Sequence, residues 1–96
     1  MNRKEYLLTC LAEECAEVAQ ACSKALRFGL DDKRPNHTLT NAQYISAEIN
    51  DVIALVKMLE EEGLLPRQNS FREIEAKKAK MEHFMEYAKQ RGTLTV

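Results

Sequence analysis

Two short acidic runs in this chain could do chemistry together. Glu13, Glu14 and Glu17 fall in the string EECAE, Glu48 and Asp51 bracket EIND, and thirty residues separate Glu17 from Glu48. A spacing of three on a helix sets two carboxylates about 60° apart on one side. If two such helices face each other, the carboxylates of Glu14, Glu17, Glu48 and Asp51 converge. Four acids in a poorly solvated groove cannot all stay ionised without a counter-charge, so they must take up protons or a cation. The donor atoms are all oxygen, with no Cys or His at metal spacing beside them. That set selects a hard divalent ion, Mg²⁺ or Mn²⁺, over zinc or copper. Because Mg²⁺ habitually binds phosphates, the constellation points to phosphate-ester or phosphoanhydride chemistry.

Such a centre also needs positive charge for a polyphosphate. Lys24 lies one strip over from Glu17, and Arg27 follows a turn later. Further along, Lys77 falls inside an apolar arc with Lys80 next to it. Each of these residues also has a plainer reading. An acidic run on a helix is usually a solvated face. Lys77 can lay its stem along a core and keep its ammonium wet, and Arg27 suits a helix C-terminus. Cys10, Cys15 and Cys22 read as small core or near-core residues. The second acidic run carries the weight, because Glu48 and Asp51 fall among Tyr44 and Leu55 on an apolar arc. A carboxylate buried there needs compensation.

The elements that must position these groups are three amphipathic segments. The first spans about residues 3–28, with Leu8, Leu11, Cys15, Val18, Cys22 and Leu26 at helical steps, and stops at Gly29. A polar loop containing Pro35 follows. Thr40 as N-cap and Gln43 three residues on make a capping box, with Leu39 placed to staple against Tyr44. The second helix, about 40–62, has Ile45, Ile49, Val52, Val56 and Leu59 as its main stripe. Its apolar cover extends far enough around to predict a mostly buried helix. Ser70 with Glu73 suggests another capping box and opens the third helix, about 70–91, whose core stripe is Ile74, Met81, Met85 and Ala88 with Phe84 at the margin. The expected fold class is all-α. It is a bundle of three main helices in a single domain over 1–96, with the first two antiparallel.

Composition narrows the partners. Charged residues make up 30% of the chain, yet 14 basic and 15 acidic side chains leave a net charge of only −1. That balance excludes a strongly basic arm for polymeric nucleic acid. Apolar runs are too short for a membrane span. Three cysteines without CxxC spacing point to a reducing, cytoplasmic setting. A chain of 96 residues buries a modest fraction of its surface, so self-association is expected.

EECAE followed by EIND resembles the EExxE…ExxD signature of the MazG-like all-α nucleoside triphosphate pyrophosphohydrolases. KALRFG (24–29) and EINDVIALVKMLEEEG (48–63) are similar to small stand-alone members of that family. The resemblance covers about residues 8–63, and the third helix matches only loosely, through its KKAK segment. It implies a helical bundle that forms a homodimer or homotetramer. It also implies hydrolysis of an NTP or dNTP to the monophosphate and pyrophosphate, with Mg²⁺ held by Glu14, Glu17, Glu48 and Asp51. Glu13 would orient water or an outer group, and Glu13 or Glu17 would accept the water's proton. Lys24, Arg27, Lys77 and Lys80 are the phosphate-contact candidates. No base preference follows, because the aromatic base-binding residues of some relatives have no clear counterpart here. A competing expectation is a non-catalytic helical module that dimerises, or binds a partner, through the second helix.

Overall fold

Both boundaries of the first helix and the start of the second fall at residues that satisfy or exclude backbone hydrogen bonds. The structure, a computed structural model, describes residues 1–67 and 70–95. It contains α1 (Arg3–Phe28), α2 (Asn41–Glu61) and α3 (Phe71–Arg91), in an all-α fold. Asn2 opens α1 with a capping box that the sequence reading did not anticipate. Its side chain accepts from the Glu5 amide at 2.8 Å, and its own amide donates to Glu5 Oε1 at 3.4 Å. Gly29 ends α1 at φ 101°, a conformation that L side chains rarely adopt. The Thr40–Gln43 capping box at the start of α2 forms as expected, through bonds of 3.1 and 2.8 Å. The Ser70–Glu73 box does not. Ser70 has φ −122° and ψ 17° in place of the extended backbone of an N-cap, and its side chain makes no capping bond.

Residues Met1–Pro66 form one compact unit and Arg67–Val96 another. In the first unit, α1 and α2 run antiparallel, tied at both ends. At one end Arg3 grips Glu62 through Nε–Oε1 and Nη2–Oε2 contacts of 2.9 and 2.8 Å. At the other, Asn41 donates through Nδ2 to the Gly29 carbonyl at 2.8 Å, and its backbone amide donates to the Asp32 carbonyl at 2.9 Å. Asn41 is 2% exposed, and these bonds satisfy a side chain that would be costly to bury unpaired.

The seam between the helices buries Leu7, Ala21 and Ala25 from α1 and Leu59 from α2, with Leu11, Val18, Ile45, Val52, Leu55 and Val56 half-buried. The α1 face expected from sequence is therefore corrected. Leu8, Cys15, Cys22 and Leu26 are exposed, Leu26 at 89%, and Cys10 alone of the cysteines is half-buried. The apolar girth of α1 is wider than one neighbouring helix can cover. α2 settles on the side where Ala21 and Ala25 allow close approach. α2 itself is less buried than its girth predicts, with Ile49 and Ile53 facing outward. α3 has no buried residue. Its expected core residues Ile74, Met81, Phe84 and Met85 are exposed and Ala88 is half-buried, since its unit holds no second helix to cover them. Among the described residues, no helix is long and apolar enough to cross a membrane.

Candidate metal centre

The buried stripe of α1 recurs at Leu7, Leu11, Glu14, Val18, Ala21 and Ala25, and that of α2 at Asn41, Ile45, Glu48, Val52, Leu55 and Leu59. Both sets follow the three-and-four spacing of a packed helix face. Glu14 and Glu48 thus occupy core positions in the seam, each half-buried between apolar neighbours. Asp51, one turn beyond Glu48, stands exposed at the rim. One carboxylate oxygen from each of Glu14, Glu48 and Asp51 lies within 4.8 Å of the others. A groove of about 400 Å³ opens beside them, lined by Cys10, Glu14, Asp51, Ala54 and Leu55.

These charges strain one another. Burial pushes the Glu14 carboxyl above its ordinary pKa, and the negative charges of Asp51, Glu48, Glu17 and Glu13 push it further. Neither ion pair found among the described residues, Arg3–Glu62 or Lys78–Glu75, involves the three acids. The cluster is a set of hard oxygen donors short of positive charge, which is the donor chemistry of Mg²⁺ or Mn²⁺.

Three of the four proposed ligands are therefore brought together by the antiparallel packing. Glu17 is exposed and lies outside the group of three, although close enough to raise the proton affinity of Glu14. Glu13 is exposed and has the smallest effect on Glu14. Lys24 is half-buried on α1, two turns past Glu17. Arg27 is exposed with its guanidinium 5.0 Å from the centre of the Phe28 ring, on the side of α1 turned away from the seam. Lys77 and Lys80 are exposed on α3, and the Lys80 ammonium lies 5.7 Å from the centre of the Phe84 ring.

One cluster near the acids was not anticipated. Arg34 to His37 form a β-turn, with His37 N–H donating to the Arg34 carbonyl at 3.0 Å and Asn36 at φ 67°. Pro35 and Asn36 supply the residue pattern of a type II turn. The turn brings the Arg34 guanidinium carbon 4.6 Å from the centre of the Tyr44 ring, and His37 Nδ1 2.7 Å from the Tyr44 hydroxyl. The Pro-Asn pair was the available signal for the turn. Nothing in the order of residues marked Arg34 as reaching Tyr44.

No protein-family model, curated protein or solved structure matches the chain.

Proposed function

We propose that this chain is a Mg²⁺-dependent nucleoside triphosphate pyrophosphohydrolase, of the kind its acidic motifs resemble. The convergence of Glu14, Glu48 and Asp51 at the α1–α2 seam carries this reading. Two facing helices carry carboxylates at seam positions, which is unfavourable unless protons or a cation neutralise them. Glu14, Glu48 and Asp51 would hold the ion, with Glu17 one turn from Glu14 as the proposed fourth ligand. A divalent ion there would lower the pKa of bound water and neutralise phosphate charge.

The chain's own residues supply the rest. A carboxylate not fully engaged by the ion, Glu13 or Glu17, would take the proton of the attacking water. Glu17 is the better placed, on the flank of α1 that also carries Cys10. Attack at the α-phosphorus forms the new P–O bond and breaks the bond to the β-phosphate oxygen, releasing pyrophosphate. Of the candidate phosphate contacts, Lys24 lies on the flank of α1 that carries Glu17. The active form is proposed to be a homodimer or homotetramer in the cytoplasm.

The test is incubation with a dNTP mixture and Mg²⁺, reading both phosphate products. Pyrophosphate release that disappears in Glu48→Ala supports the reading. Orthophosphate release, or full activity in that variant, rejects it. A second reading, a non-catalytic helical module that dimerises or binds a partner through α2, draws on the outward Ile49 and Ile53 of that helix. It predicts no thermal shift with Mg²⁺ or nucleotide.

A further inference from the structure

We infer that Arg34, seated on Tyr44 beside the carboxylate cluster, is a phosphate-binding residue that takes the polyphosphate chain of the nucleotide. This role rests on the pyrophosphohydrolase reading and adds to it a cation on the flank of α2 that carries Asp51.

The observations are local to the first unit. Tyr44 and Asp51 are seven residues apart on α2, so they share one flank of its buried stripe with only about 20° of drift. That is the flank on which the groove opens, since Asp51, Ala54 and Leu55 line it. Tyr44 lies about 6 Å along the axis from Glu48 and about 10 Å from Asp51. Arg34 therefore places a positive charge on the Asp51 flank of α2, on the side of the acids away from Ala54 and Leu55.

Three features suit Arg34 to this task. Its guanidinium rests against the Tyr44 ring at 4.6 Å, so its orientation is set before any ligand arrives. Tyr44 is itself braced, by the 2.7 Å contact of its hydroxyl with His37 Nδ1. The Arg34 Nε is buried without a hydrogen-bond partner, and neither ion pair among the described residues engages the guanidinium. A planar fork with no carboxylate partner is matched to the non-bridging oxygens of a phosphate. Lys33, just before the turn, adds a further positive charge. Arg27, by contrast, is turned away from the seam.

The experiment compares wild type, Arg34→Gln, Arg34→Lys, Tyr44→Leu and Lys33→Gln, each checked for helicity and thermal melting. Mn²⁺ uptake is titrated first, then binding of inorganic tripolyphosphate to the Mn²⁺-loaded protein, then the KM for dNTP hydrolysis. Arg34→Gln is expected to take up Mn²⁺ like wild type, to bind tripolyphosphate at least about tenfold more weakly and to raise KM similarly. Arg34→Lys should recover part of this, because it keeps charge but not the fork. Tyr44→Leu should weaken binding in the same direction, and Lys33→Gln should change it less than about twofold, as expected of a charge without a platform. If wild type binds Mn²⁺ and hydrolyses dNTPs while Arg34→Gln is indistinguishable from it, this role for Arg34 is overturned and the metal reading stands. If wild type takes up no Mn²⁺, the parent reading fails and the role falls with it.

Discussion

Glu14 stands where the spacing of Leu7, Leu11, Val18 and Ala21 would place an apolar side chain, and the consequence can be measured as a pH dependence. Its ordinary pKa of 4.5 is raised in the folded chain, first by burial and then by its acidic neighbours. A group whose folded pKa is raised binds more protons folded than unfolded. Its stabilising contribution is therefore complete below about 4.5 and is lost as pH rises through the raised value. Glu62 has the opposite sign, because Arg3 holds its carboxyl low. A comparison of wild type with Glu14→Gln cancels the Glu62 contribution. Without metal, the melting temperature of wild type relative to Glu14→Gln should fall between acid and neutral pH. Saturating Mg²⁺ should reverse that fall in wild type alone. A difference that stays flat with pH would remove the charge-crowding account. At this scale the two acidic motifs were legible from spacing alone. The separation of Glu17 from the group of three was not, because a helical step of three leaves open which acid faces the partner.

The helices hold their charges in register through caps and through a thin apolar seam. Thr40 anchors the start of α2, from which Glu48 and Asp51 are counted. Replacing it with Ala removes the bond from Gln43 N–H and should cost about 1 kcal/mol in chemical denaturation. Leu59 is 0% exposed, and Leu59→Ala should cost about 2–5 kcal/mol by the same measurement. That is a large share of the roughly 5–15 kcal/mol of an ordinary domain. A loss under 1 kcal/mol would mean that the seam relaxes around the gap. Helix existence and most boundaries were readable because Gly29 and the Thr40–Gln43 pair are strong local signals. The packed face of α1 was not readable, since Leu8–Cys15–Cys22 and Leu7–Ala21–Ala25 are both acceptable stripes. Close approach on alanine, a property of the pair of helices, chose between them.

At the scale of the whole molecule, the buried hydrophobic residues among those described are only Leu7, Ala21, Ala25 and Leu59. The outward Ile49 and Ile53 of α2 and the apolar stripe of α3 remain uncovered within their own units. Under the proposed self-association, light scattering should give the mass of two or more copies. Met81→Glu with Met85→Glu should lower that mass toward a single chain. A wild-type monomer would leave these faces to another partner. Mg²⁺ at about 100 times its dissociation constant should add roughly 2.7 kcal/mol of stability, visible as a raised melting temperature that Glu48→Gln abolishes.

Local order along the chain determines three helices, the Thr40–Gln43 cap and two acidic pairs. Each of these depends on residues within a few positions of one another, and helical periodicity carries that information. Only tertiary structure decided that Glu14, Glu48 and Asp51 meet, that Asn41 locks α2 to the end of α1, and that Arg34 reaches Tyr44. Each of those contacts depends on how one helix rotates and slides against another and on how the connecting turn folds back. Many side chains set that rotation jointly, and no single spacing records it.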